Sequence, residues 1–216
     1  MSKQTIWNQL KARGFSDVAA AAIMGNLEAE SNCISNRIQG DFTKGYLRSA
    51  QYTAQVDAGN INRHEFINDG PGGGGYGLAQ WTLQSRKAGL YDLAKKTGTS
   101  IGDEAMQVEW LCQELQLDEY RKVLETLKAS PSIRECSDVI MKIYERPADQ
   151  SEAALRQRAE FGRAIYQEFS KGEAEDPEGI PDDGTIKITE EDLRTYTKAV
   201  LIVKTLKDLF SLLQEV

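Results

Sequence analysis

Apolar residues recur at three- and four-residue spacings over most of residues 1–170, a pattern that predicts a chain built mainly of helices. The first helix is expected from about Gln4 to Lys11, with Ile6, Trp7 and Leu10 on its apolar side and Gly14 closing it. Ser16 or Asp17 then caps a second helix carrying the run AAAAIMGNLEAES, Ala19 to Ser31. At about 100° per residue, Ile23, Leu27, Glu30 and Ile34 fall on one side of it, while Glu28 points roughly 140° away from Ile23. Glu30 is thus a carboxyl on an apolar face. Lost hydration makes such a group resist ionisation, and a carboxyl that keeps its proton near neutral pH is what a general acid requires.

The helical period lapses from Ser35 to Gly75, where Phe42, Tyr46, Tyr52 and Phe66 are scattered among Asp, Asn and Gly, ending in DGPGGGG. So long an irregular stretch predicts a lid or binding loop, a small irregular or β-hairpin lobe bordering a groove. GYGLAQWT, Gly75 to Thr82, then combines backbone freedom with Gln80, which both donates and accepts hydrogen bonds. Helices are expected again over Ser85 to Thr97, Ile101 to Glu114, Glu119 to Ala129 and Ser132 to Tyr144. ERPAD breaks the chain at Pro147, and Ser151 to Ser170 is the last helix of the domain, with Leu155, Phe161, Ile165 and Phe169 facing inward. The fold class is therefore mainly α.

Residues 171–188 are rich in Pro, Gly and acidic side chains, the composition of a linker. Residues 189–216 read as an amphipathic helix opened by Thr189 with Asp192, its seam formed by Tyr196, Ala199, Val203, Leu206, Phe210 and Leu213. Either it folds back on its own domain or it pairs with another helix, as in a homo-oligomer. Lys204 and Lys207 interrupt it and speak against membrane insertion.

Composition narrows the function classes. The chain has 216 residues, 40% apolar and 27% charged, as expected for a globular protein with one sizeable core. No apolar run approaches the ~20 residues that cross a bilayer, and the amino terminus lacks the apolar segment of a signal peptide, so synthesis in the cytoplasm without a leader is expected. The net charge of -7 is uneven: residues 171–216 hold 6 basic and 11 acidic side chains, leaving 20 basic against 22 acidic before them. A nearly neutral domain argues against nucleic acid as the partner. Cys33, Cys112 and Cys136 suggest no disulfide framework and read as reduced core residues, while His64 alone makes neither a triad nor a metal site. No metal or cofactor is expected.

Three segments in order, GNLEAES, GYGLAQW and YERPAD, resemble the phage tail lysozyme family, related in pattern to goose-type lysozymes and lytic transglycosylases, over roughly Thr5 to Phe169. The resemblance implies a lysozyme-like domain in which Glu30 and Ser31 end a helix beside a cleft that Gly77 to Gln80 line. It implies cleavage of the β-1,4 bond between N-acetylmuramic acid and N-acetylglucosamine in peptidoglycan, at the cell wall, by a released lysis enzyme or a virion component. Glycoside cleavage needs a carboxylic acid to protonate the leaving oxygen, the role expected of Glu30. An inverting hydrolase adds a second carboxylate for water, for which Asp69 stands first and Asp41 and Asp57 remain alternatives. With none of them in reach, the sugar's own 6-hydroxyl would attack and leave a 1,6-anhydro product. Ser31 would orient the acid, Gln80 would bond the substrate or the water, Tyr76 and Trp81 would offer faces to sugar rings, and Tyr144 would lie near the acid. Glu145 and Arg146 read as a structural ion pair. The competing reading is a catalytically silent wall-binding or tail-structural module on the same fold.

Overall fold

The computed structural model describes residues 3–40, 46–68 and 74–170. Asp41, Asp69, the linker at 171–188 and the helix expected at 189–216 lie outside the described residues. Helix α1 (Lys3–Ala12) buries Ile6, Trp7 and Leu10 as its spacing predicts. Gly14, at φ +83°, turns the chain, and Ser16 Oγ accepts the Ala19 N–H at 3.1 Å to open α2 (Asp17–Ser31).

Helix α2 is the axis of the domain. Every residue from Ala19 to Leu27 is buried, so the one-sided stripe expected of it gives way to a helix enclosed all round. Small side chains make that enclosure possible. A Cβ added at Gly25 would lie 2.5 Å from Arg158 O and 2.6 Å from Gly162 N, so α2 and α9 (Glu152–Phe169) meet almost backbone to backbone. Asn32 and Cys33, both at φ 55°, then stop α2, their N–H groups returning to Glu28 O at 2.9 Å and Leu27 O at 3.3 Å. Ile34 therefore lies beyond the helix.

The expected irregular or β-hairpin lobe is corrected. The segment forms α3 (Tyr46–Asp57) and α4 (Arg63–Asn68), and among the described residues the only extended pairings are isolated bridges, Ile38 with Tyr76 and Tyr76 with Trp81. The stripe of α3 was disguised because polar residues occupy it: among its described side chains, Ser49, Thr53 and Val56 are the buried ones. Thr53 Oγ1 is satisfied by Tyr76 Oη at 2.6 Å, and Tyr52, Phe66, Tyr76 and Tyr91 join through ring centroids 5.6 to 6.3 Å apart into a local core.

Helices α5 (Gln84–Thr97), α6 (Glu104–Glu114), α7 (Arg121–Ala129) and α8 (Ile133–Val139) follow. Helix α6 starts three residues later than its apolar pattern suggests because Asp103 Oδ1 takes the Met106 N–H at 2.8 Å. Beyond α8 the chain does not continue as one α-helix to Tyr144. Ile140–Glu145 widens into a π-helical turn, closed by Arg146 N–H to Met141 O at 2.8 Å with Arg146 at φ 50°. Ser151 then caps α9, whose buried positions are Leu155, Arg158, Ala159, Gly162 and Ile165; of the other expected inward residues Phe169 packs on the core, its ring 5.6 Å from that of Trp7, while Phe161 stays half-buried.

Candidate active site

The close crossing of α2 and α9 sets the first wall of the site. One turn from Gly162, Arg158 reaches across so that its Nη2 lies 2.6 Å from Glu30 Oε1, with the two side chains 9% and 18% exposed. Arg158 Nη1 bonds Asn26 Oδ1 at 3.2 Å. Asn26 Nδ2 is itself held by Ala22 O at 3.0 Å and Ser137 Oγ at 3.0 Å. Glu30 is thus fixed in direction by a guanidinium, and the purely oily surroundings expected of it are corrected.

The second wall is built on Glu114, at the end of α6 and almost fully buried. Its carboxylate accepts Arg86 Nε at 2.7 Å and Nη2 at 3.0 Å, Trp81 Nε1 at 2.7 Å and the Tyr144 hydroxyl at 2.6 Å. Arg86 lies over the Tyr144 ring, 4.2 Å from its centroid. Four donors on one carboxylate lock α5, α6 and the π-helical turn together.

Between these walls lies a groove of ≈ 600 Å³ lined by Glu30, Gln80, Arg86, Tyr144 and Glu145, with Leu83, Tyr120, Pro147 and Ala148 adding apolar surface. Glu145 enters it from the end of the π-helical turn. Its Oε1 is closed off from solvent and accepts no hydrogen bond. Burial first, and then the Glu30 charge, push this carboxyl well above the usual carboxylate range. The expected Glu145–Arg146 ion pair is not formed; Arg146 Nε instead donates to Ile143 O at 2.7 Å.

Of the residues singled out by sequence, Glu30, Gln80 and Tyr144 come together in the groove. Gln80, at φ 44°, directs both amide hydrogens to backbone, Nε2 lying 2.9 Å from Gly77 O and 3.1 Å from Arg37 O, which leaves its Oε1 as the acceptor to offer. Gly77, at φ +80°, is required there: a Cβ would lie 2.7 Å from Gln107 Oε1, the atom that accepts Leu78 N–H at 2.9 Å and anchors the loop. Ser31, Tyr76 and Trp81 are corrected as groove contacts, since all three are fully buried behind its wall. The Ser31 hydroxyl reaches Leu78 O at 2.8 Å and so ties the end of α2 to the Gln80 loop. Tyr144 lines the groove while buried, its ring covered by Arg86 and its hydroxyl committed to Glu114. Asp57 accepts Ser100 Oγ at 2.5 Å and Ile101 N–H at 2.8 Å, a brace between α3 and the turn before α6. Asp69 and Asp41 are among the residues not described. Sequence reasoning passed over Arg158, Arg86 and Glu114 and read Glu145 only as half of an ion pair; a charged residue at an inward position of α9 was the available sign of the first.

A family model for phage tail lysozyme matches residues 2–169. The chain belongs to the phage tail lysozyme family. No curated protein matches it. The span matched as phage tail lysozyme takes in every described helix and the whole groove. Membership carries a lysozyme-type glycoside hydrolase role at the bacterial cell wall, with peptidoglycan as the substrate. No helix among the described residues is long and apolar enough to cross a membrane, and no group of three or more His, Cys, Asp or Glu there could hold a metal ion.

Proposed function

We propose that the groove cleaves the β-1,4 bond between N-acetylmuramic acid and N-acetylglucosamine, with Glu30 as the general acid. The observation that carries this reading is the placement of Glu30: its side chain is 18% exposed, open enough to meet a sugar oxygen, and it stands in a groove with a second carboxyl, Glu145. Protonating the leaving oxygen while positive charge grows on the sugar ring is the central demand of the reaction, and a fixed carboxyl at the groove wall meets it. Arg158 sets the direction of Glu30 and matches the charge left on it after the proton departs. Gln80 offers an acceptor to a hydroxyl or N-acetyl N–H of the glycan, and Leu83, 65% exposed, offers apolar surface to a ring face or an acetyl methyl. Asp69 is taken as the carboxylate that activates water, giving reducing ends. Docking to a second copy or to a virion or lysis protein is assigned to the helix expected at 189–216.

Dye release from labelled cell walls by the wild type and by Glu30→Gln tests the assignment. Glu30→Gln should still bind walls and release about a hundredth or less of the dye. Equal release by both proteins removes Glu30 from its role; binding without release by the wild type makes the protein a silent wall-binding module. Mass spectrometry of the fragments should find reducing ends, lost in Asp69→Asn, and 1,6-anhydro ends would replace the water mechanism with attack by the sugar's own hydroxyl.

A further inference from the structure

We propose that Glu145 is the proton-holding partner of Glu30, so that the acid of this groove is a pair of carboxyls that keeps one proton between them; the proposal rests on Glu30 being the residue that meets the substrate. The argument begins with the backbone. The π-helical turn at Ile140–Glu145 and the left-handed Arg146 end the helix so that Glu145 lines the same groove as Glu30.

The surrounding charges then decide its state. Facing Glu145 are Glu30 of α2, Arg158 of α9, Arg86 of α5 and Glu114 of α6, while Tyr144 and Arg146 flank it on its own element. Arg86 is committed to Glu114, Arg158 to Glu30 and Asn26, and Tyr144 to Glu114. Two cations are matched by two carboxylates, and a third ionised carboxylate, on a half-buried residue whose Oε1 is closed off from solvent, would have no counter-charge of its own. Glu145 Oε1, shielded and without a hydrogen-bond partner, is where that cost would fall. The neutral acid avoids it, and two carboxyls in one groove share a single proton more readily than they both ionise.

The proton balance follows. In the empty groove Glu145 holds the proton away from solvent while Arg158 pairs with ionised Glu30. When substrate fills the groove the proton passes from Glu145 to Glu30; as the glycosidic C–O bond breaks, its electron pair goes to the leaving oxygen, Glu30 delivers that proton to it, and the growing positive charge on the sugar offsets the pair's second negative charge. Attack by water on the anomeric carbon releases one proton to the carboxylate that activates it, and exchange with solvent then restores both that carboxylate and the pair. Glu30 touches the substrate; Glu145 acts through it and is a positioning residue.

The test is the pH profile of kcat/KM for the full chain on labelled peptidoglycan, with Glu145→Gln and Glu145→Met beside the wild type and Glu30→Gln as reference. Removing the partner should move the alkaline limb of the profile by about one pH unit or more toward acid, a loss of about tenfold at neutral pH, with activity on the acid side kept within about twofold. An unmoved limb, or a uniform fall at every pH in either variant, overturns the pair. Activity in Glu30→Gln instead overturns the assignment of Glu30, so the two failures are told apart. Both Glu145 variants retain side-chain length and should melt no lower than the wild type at neutral pH; a lower midpoint in both shows a packing role and likewise overturns the proposal.

Discussion

Glu114 offers the sharpest test of how the groove is held, because one buried carboxylate there serves Arg86, Trp81 and Tyr144. In Glu114→Gln the shape is kept, but one oxygen becomes a donor facing donors, and the Arg86 charge, only 12% exposed, loses its counter-ion. Breaking a buried pair from one side costs about 3–5 kcal/mol, and burial this deep leaves little solvent screening to reduce it. For a domain of this size that corresponds to a fall of about 6–20 °C in the midpoint of thermal unfolding. Arg86→Met alone should cost a similar amount, since it strands the carboxylate. The double variant carries neither stranded charge and keeps an acceptor for the Trp81 N–H and the Tyr144 hydroxyl, so it should be more stable than either single variant. Urea denaturation of all four proteins at neutral pH gives the coupling energy directly. A Glu114→Gln loss under about 1 kcal/mol, or a double variant destabilised by the sum of the singles, refutes the reasoning.

Glu145 makes the stability of the wild type depend on pH in a defined direction. Burial raises its carboxyl, so between the ordinary carboxylate range near about 4.3 and the point where the folded form gives up its proton, the folded form binds more protons than the unfolded. Rising pH then favours unfolding, and urea titrations should show the wild type losing about 1.4 kcal/mol per pH unit relative to Glu145→Gln across that window; a constant difference contradicts it. Gly25→Ala should destabilise by about 1–3 kcal/mol or more despite the better helix propensity of Ala, because its Cβ meets backbone of α9. Gly162→Ala should cost less, since its nearest neighbour is an Ile133 methyl at 2.9 Å that can shift; calorimetry giving the opposite order breaks the account of the crossing. Trp81→Phe should lose about 1–3 kcal/mol with the bond to Glu114 while leaving KM for wall fragments within about twofold, and a large rise in KM would return Trp81 to the groove.

The sequence made the helices legible wherever apolar residues alone formed the buried stripe. Ile6, Trp7 and Leu10 placed α1, and Ser16 was readable as a cap because its only neighbours in that role are local. Helix α3 was hidden because Ser49 and Thr53 stand at buried positions, where their hydroxyls are satisfied by groups known only after folding. The same distinction divides the site. Glu30 stood out as a carboxyl in an apolar run, and Gln80 as a polar side chain among glycines. Their partners could not be read: Arg158 lies on another helix and Glu145 owes its direction to a π-helical turn that no spacing announces. Arg158 was nonetheless an anomaly of the same kind as Glu30, a charge at an inward position, and the two anomalies have opposite signs.

The widened turn before Pro147 has a further consequence. The π-helical turn holds one residue more than an ordinary turn, and rewinding Ile140–Glu145 as regular α-helix with every residue kept would carry each later side chain of that segment about 100° further round the axis. The new helix would be the more regular one, and α9 could restart unchanged at its own Ser151 cap beyond the break. The carboxyl at its end, however, would face elsewhere. Local order and chemical reactivity thus compete at this turn over a single amino acid.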